Sequence, residues 1–392
     1  MLDGLKRIAK YGKGSPRNRQ MACAVHVALW PLLLVASAFW PARRRSRTIS
    51  RILLIRIDGI GDLAMSSSSI RALRERYPDA QIDLITSDVA GQIAELLVDA
   101  KWINRVWIVP LYSRTFQQYK SIWRELRQNR YDVAVDLRGD LRNVMLIWLA
   151  GIPLRLGLPA TGLEYLLSDL ADLPEPHHQA AEVAELVRKL DVEPIDSWPR
   201  LPLRLVDLET ADRWMDEHSL DRARPIVAFH LSASIQARVW PLERFVEVAR
   251  RLRERTGAQL VVVGGKGEIE VAEEFARAVQ APVAIAAGQL RLAPTAALLS
   301  RCTVLIGNDS GPAHLAAYVG CSVVDLFSTA NPACTRPLSP HAVIFTPIHP
   351  CDPRCDKTCA RPETRCMLDH TVDAVADAAE KLIREVTAAH AG

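Results

Sequence analysis

Two short stretches of this 392-residue chain carry residue types that can do chemistry. The first runs Arg-Ile-Asp-Gly-Ile-Gly-Asp-Leu-Ala over residues 56–64. Within it, Gly59-Ile60-Gly61-Asp62-Leu63-Ala64 fits the G-x-G-x-x-A pattern of a dinucleotide-binding turn. A pyrophosphate in such a turn sits on the amides that open the next helix, and there Asp62 would repel it. The same helix start instead favours an ionised Asp62. A carboxylate on a glycine-flexed turn at a strand end suits a general base. Local spacing alone favours the plainer role, a helix-capping aspartate. A rival enzyme class is an NAD-dependent oxidoreductase built on this turn, with Asp88 serving the ribose.

The second stretch is Gly-Asn-Asp-Ser-Gly-Pro-Ala-His at 307–314. A strand ending at Asp309, followed by Ser310-Gly311 and then Pro312 at a helix start, exposes the free amides of Ser310 and Gly311. Ser310 and His314 add side-chain donors, so the turn suits a diphosphate. An ordinary strand-to-helix turn with His314 as an interior residue reads equally well. Three further features belong with it. The small-residue loop that includes Ser232 leads to Arg238 ahead of Trp240-Pro241, a cation well placed for phosphate, although a solvated arginine is the default. Gly264 and Gly265 let a ligand approach the backbone. Glu268, at a helix start, can accept ribose hydroxyls or cap the helix.

Arg138 and Arg142, after the apolar run at 131–137, are candidates for gripping acidic groups of an acceptor, evenly balanced against a solvated loop. Gly61 and Ser66 join them as candidate acceptor contacts. No D-x-D occurs, so there is no evident carboxylate pair for a metal–diphosphate complex. Cys351, Cys355, Cys359 and Cys366 are spaced C-x3-C-x3-C-x6-C, unlike the paired C-x2-C of common zinc sites. A reduced-thiol loop or lid is expected there, and no metal or other cofactor.

These side chains need a scaffold of alternating strands and helices. From residue 51 apolar runs of strand length (51–57, 81–87, 105–110, 131–137) alternate with helical stretches, and a second series starts at 225. The expectation is an α/β chain of two Rossmann-like, doubly wound parallel-sheet domains facing a central cleft. The expected bounds are 51–205 for the first domain, 206–224 for a linker, 225–370 for the second domain and 371–392 for a last helix. Residues 1–50 carry ten Lys and Arg against one Asp, leaving the remainder at a net −5. A mildly acidic body argues against nucleic acid as a partner. Residues 21–40 are nearly all apolar, about the ~20 residues that span a bilayer core, with basic clusters on both sides. A retained membrane segment is expected, anchoring or resting residues 21–47 on the cytoplasmic face of an inner membrane. A cleaved signal peptide is the plainer alternative.

Taken in order, RIDGIGDLAMSSSSIRAL, DLRGDLRN, RVWPLERF, VVVGG and GNDSGPAHLAA resemble glycosyltransferase family 9, the heptosyltransferases of lipopolysaccharide core assembly. The likeness runs from about residue 51 to 388. It implies a GT-B fold with an N-terminal acceptor domain over 51–205, a C-terminal nucleotide-sugar domain over 225–370, and a last helix that crosses back to the first domain. It also implies a metal-independent, inverting transfer of heptose from an ADP-activated donor to an acidic, lipid-linked glycan acceptor. Asp62 matches the family's catalytic aspartate, and Asp309, Ser310, Gly311 and His314 match its donor-binding turn. One departure is Arg238, where the family usually has a lysine that binds the diphosphate. A second is the run Ser66–Ser69, where the family sequence is more mixed. A transferase with another nucleotide-sugar and surface glycan, or a membrane-tethered sugar-binding protein with a degenerate site, are the other readings.

Overall fold

The computed structural model describes residues 48–111, 116–159, 163–173, 177–194, 198–328, 330–348 and 366–391, together with Ala24 and Val27. The expected membrane segment, apart from those two residues, and Cys351, Cys355 and Cys359 lie outside the described residues. Among the described residues no helix is long and apolar enough to cross a membrane.

The chain divides into two units, 1–197 and 198–392. In the first, β1 (Arg51–Arg56), β2 (Gln81–Ser87), β3 (Arg105–Val109), β4 (Val133–Asp136), β5 (Leu154–Gly157) and β6 (Asp169–Leu170) form one sheet. Its order is β3-β2-β1-β4-β5-β6, parallel throughout. The helices are α1 (Ile60–Met65), α2 (Ser67–Arg76), α3 (Gly91–Asp99), α4 (Phe116–Asn129), α5 (Leu141–Leu149) and α6 (Gln179–Arg188). Continuous apolar runs become central strands because both faces are covered: Ile52, Leu53, Leu54 and Ile55 are all fully buried.

The second unit repeats the plan. β7 (Ile226–His230), β8 (Gln259–Val262), β9 (Val283–Ile285), β10 (Val304–Asn308), β11 (Ser322–Leu326) and β12 (Ala342–Phe345) lie in the order β12-β11-β10-β7-β8-β9, again parallel. Around them sit α7 (Leu205–Glu217), α8 (Leu242–Thr256), α9 (Ile269–Val279), α10 (Leu292–Leu299), α11 (Gly311–Tyr318), the short α12 (Pro332–Thr335) and α13 (Val372–Ala391). α8 stops at Gly257, whose φ of 65° only glycine adopts without strain.

Three differences from the sequence-based expectation have physical reasons. β5, β6 and β12 are four residues or fewer and carry little periodicity; β5 even buries Arg155, which donates to Leu166 O at 2.6 Å. Residues 206–224 are not a free linker. They hold most of α7, which buries Ala211, Trp214 and Met215, and the Trp214 indole N–H meets Gln289 Oε1 at 2.7 Å. Finally, α13 places Val375, Ala376, Ala379, Leu382 and Ile383 in the core of the second unit. That spacing of three and four residues is one helix face, and it packs on α8.

Trp240 shows how this core holds a loop. The ring is fully buried, edge-on to Phe245 at 4.9 Å, and its indole N–H reaches His370 O at 3.2 Å. Truncating a buried tryptophan costs about 3–5 kcal/mol. Trp240→Ala is therefore expected to destabilise the second unit by about that amount, with Trp240→Phe less severe, read from chemical denaturation of both variants. A loss below about 1 kcal/mol for the alanine variant would show that the ring is not a core anchor.

Candidate functional site

In a doubly wound sheet ligands meet the carboxyl ends of the strands where the strand order reverses. In the first unit that point lies between β1 and β4, and the Asp62 turn follows β1. Asp62 is the third residue of α1, and its Oδ2 accepts the Gly59 N–H at 3.1 Å, so the capping role is realised. Its Oδ1 lies 3.4 Å from Arg56 Nη2, while 35% of the side chain stays exposed. The carboxylate is thus fixed from behind and open in front.

Arg56, the last residue of β1, is the residue that sequence reasoning missed. It is 1% exposed, and its guanidinium faces Asp62, Asp58 (3.4 Å) and Leu137 O. The available signal was weak, a charge at the end of an apolar strand that also begins with Arg51. Arg138 pairs with Asp58 at 2.9 Å, and Arg142 folds back on Asp140 at 2.9 and 2.5 Å. Burial would raise the Asp140 carboxyl, but the Arg142 hydrogen bonds outweigh it and hold the group below its usual range. Both arginines are partly exposed, yet each already serves an aspartate of its own unit. Ser66 is a correction. It is fully buried and its hydroxyl donates to Asp62 O at 3.0 Å, so it joins α1 to α2 and has no surface to offer an acceptor. Gly61 is buried in the first turn of α1.

Asp136 ends β4 with no exposed surface. It accepts from Asn143 Nδ2 (3.0 Å) and from the N–H groups of Asp140 (3.0 Å) and Arg138 (3.2 Å). Burial pushes its carboxyl up to about 6 despite these donors. A cavity of about 540 Å³ lined by Glu164, Ser168, Asp169, His177 and Glu182 opens elsewhere in the unit and does not include Asp62.

In the second unit the reversal lies between β7 and β10. Ser310 caps α11, whose first residue is Gly311, and its hydroxyl is 3.0 Å from His230 Nδ1. His230 Nε2 lies 3.1 Å from Glu268 Oε1, and the other carboxylate oxygen of Glu268 accepts the Gly265 N–H. Burial opposes ionisation of Glu268, but His230 and the Gly265 amide prevail and lower its pKa. Gly264 leaves room for this carboxylate: a Cβ there would stand 2.8 Å from Glu268 Oε2 and push the side chain aside. Asn308 ends β10, accepting the Trp240 N–H at 2.9 Å and donating to Ser232 O at 3.2 Å.

Arg238 Nη1 lies 3.0 Å from Asp309 Oδ2, and its Nε is buried without a hydrogen-bond partner. The structure thus gathers Ser232, Arg238, Gly264, Gly265, Glu268, Asp309, Ser310 and Gly311 along adjoining strand ends. His314 differs. It is 7% exposed with Nδ1 3.1 Å from Tyr318 OH, which fits the interior reading. The arrangement supplies one cation and the free amides of an eight-residue helix for an anion, with a carboxylate alongside for hydroxyls. A dinucleotide on the Asp62 turn fits poorly, because Asp62 takes the Gly59 amide that a pyrophosphate would need. Among the described residues no group of three His, Cys, Asp or Glu can hold a metal ion.

A family model described as glycosyltransferase family 9 (heptosyltransferase) matches residues 119–364. The sequence is 28% identical over 309 residues to lipopolysaccharide heptosyltransferase 2 of Escherichia coli strain K12, covering 75% of this chain and 87% of that relative. A solved glycosyl transferase family 9 structure from Veillonella parvula DSM 2008 gives a TM-score of 0.77 at 21% identity, covering 88% of this chain and 100% of that one. E. coli ADP-heptose lipopolysaccharide heptosyltransferase II gives 0.69 at 24% identity, covering 86% and 99%. These two structural likenesses bear on the fold, two parallel-sheet α/β units of GT-B type.

Asp136 yields a pH test. Its folded pKa is above the ordinary 3.8, so the folded state binds the extra proton, and the stability this gives is lost as pH rises from about 4 to 6. Relative to Asp136→Asn, the wild type is expected to lose up to about 3 kcal/mol of unfolding free energy across that window. Denaturant titrations at several pH values read the difference. A flat difference would show that Asp136 keeps an ordinary acidity.

Proposed function

This chain belongs to glycosyltransferase family 9 (heptosyltransferase), and we propose that it moves a heptose, or a related sugar, from an ADP-activated donor to a hydroxyl of a lipopolysaccharide core, lipid A-linked acceptor. The names of its relatives, lipopolysaccharide and lipooligosaccharide heptosyltransferases, support this substrate class. Asp62 takes the proton of the acceptor hydroxyl as that oxygen attacks the anomeric carbon from the face opposite the nucleotide. A single displacement of this kind inverts the configuration. Charge developing on the departing ADP is met by Arg238 and the free amides at Ser310 and Gly311, in the place a metal ion takes elsewhere. Glu268 and the open backbone at Gly264 and Gly265 receive the ribose.

The observation that carries this reading is the Asp62 carboxylate. It is held by Gly59 N–H and Arg56, yet more than a third of the side chain faces solvent. A base must keep its geometry and still reach its proton. In the second unit the Ser310 turn is an anion cradle with a carboxylate alongside, as an ADP-sugar requires. Arg138 and Arg142 remain candidates for the acidic groups of the acceptor. They would have to exchange one aspartate contact for a ligand contact. The basic, apolar segment at 21–47 suits attachment to the anionic cytoplasmic face of an inner membrane, where such an acceptor is displayed.

Two tests follow from this reading. Asp62→Asn is expected to lower transfer by about 10²–10⁴-fold, the usual worth of general-base help, while ADP binding is unchanged; near wild-type turnover would remove Asp62 from the reaction. ADP-sugars are expected to raise the melting temperature more than UDP- or GDP-sugars at equal concentration, because stabilisation follows ligand saturation. A larger shift with UDP or GDP would assign a different donor.

A further inference from the structure

Three side chains, from the end of β7 and from the loops that follow β10 and β8, form one hydrogen-bonded line in the second unit: His230, Ser310 and Glu268. Ser310 Oγ is 3.0 Å from His230 Nδ1, and His230 Nε2 is 3.1 Å from Glu268 Oε1. The ring between them is 4% exposed. The backbone makes room for it: a Cβ on Gly307 would stand 3.1 Å from His230 O and 3.2 Å from His230 Cβ. Glu268 is itself fixed by the Gly265 amide.

The line has a definite polarity. An ionised Glu268 only accepts, so a neutral His230 carries its hydrogen on Nε2 and presents a bare Nδ1 to Ser310. The single Ser310 hydroxyl hydrogen is then spent on Nδ1, and only lone pairs of Oγ face outward. A phosphate oxygen also offers lone pairs, so a neutral line repels the group that the turn is built to hold. Rotating the hydroxyl toward phosphate does not cure this, because Oγ and Nδ1 would then meet lone pair to lone pair at 3.0 Å.

We propose that His230 takes up one proton from solvent when a nucleoside diphosphate group docks on the Ser310 turn. With Nδ1 protonated, the ring donates to Ser310 Oγ and also to Glu268, and the hydroxyl hydrogen becomes free to donate to a phosphate oxygen. His230 is thus a positioning residue: it reverses the direction of the Ser310 hydrogen bond without touching the ligand. Glu268 compensates the charge from one side and the incoming diphosphate from the other. Other titratable and charged groups on neighbouring elements are Lys266 beside Glu268, the Asp309–Arg238 pair, His314 on α11 and, one strand beyond β10, buried Asp325 on β11. The inference rests on the donor reading above.

The test uses the full chain and ADP-glucose, whose diphosphate has no proton titrating near neutrality. Calorimetric titrations in PIPES and in Tris, buffers of different ionisation enthalpy, count protons taken up on binding. The wild type is expected to show net uptake approaching one proton. Where it does, Kd should rise by up to about tenfold per unit increase in pH. His230→Asn places a permanent amide donor near the Nδ1 position; it should keep affinity within a few fold of wild type, with no uptake and a flat pH profile. His230→Ala should lose both affinity and uptake. Binding without uptake between pH 6 and 8, or unchanged uptake in His230→Asn, would overturn the relay while leaving the donor reading intact. If neither ADP-glucose nor ADP binds, the donor reading fails and the relay falls with it.

Discussion

A polar or charged side chain buried at the end of a central strand must find its partners in the loops that leave the sheet there. Leaving such a group unpaired costs several kcal/mol when it is charged. Both units are organised by this constraint, at equivalent places in the strand order. The last residue of β1 is Arg56 and the last residue of β7 is His230, each almost without exposed surface. Across the reversal, β4 ends in Asp136 and β10 in Asn308, both fully buried. Arg56 gathers Asp58 and Asp62, and His230 gathers Glu268 and Ser310. Asp136 fixes the amides of Arg138 and Asp140, and Asn308 fixes the Trp240 amide and the Ser232 carbonyl. The loops that carry the candidate chemistry are therefore shaped from beneath.

Much of this scaffold is legible in the sequence. The continuous apolar runs at 51–57 and 131–137 announce buried parallel strands, and the glycine-bearing turns after them announce loops open to ligands. Asp62, Asp309 and Ser310 stand out because charged or hydroxyl residues close to glycine after a strand end have few structural uses, and Arg238 because it is a loop cation ahead of a helix start. Arg56 and His230 do not stand out, since each is a polar residue at the end of an apolar strand and reads as its ragged end. Their meaning lies in partners far along the chain. Ser310 is 80 residues from His230, and Glu268 is 38 residues away. Ser66 fails in the opposite sense: it looks available beside Asp62 but is consumed by the joint between two helices.

At Asp62 the capping role and the proposed catalytic role do not compete. A cap fixes the carboxylate by one oxygen, and a base needs a fixed carboxylate with an oxygen to spare. The Gly59 amide holds Oδ2 at 3.1 Å, while the Arg56 contact to Oδ1 is longer, at 3.4 Å. A longer, partly exposed contact is the one an incoming hydroxyl can displace or share.

The exchange of lysine for Arg238 can be argued the same way. An ammonium is a compact point charge, and a lysine here would have to divide it between Asp309 and a diphosphate. The guanidinium is planar with five N–H donors in a fixed fork. One nitrogen, Nη1, holds Asp309 at 3.0 Å, and the buried Nε is still without a partner. Asp309 thereby fixes the plane of the fork before any ligand arrives, leaving other N–H groups uncommitted to that carboxylate. An arginine seated in this way would not need to release its aspartate to meet a phosphate, which makes the residue compatible with the diphosphate role proposed for it.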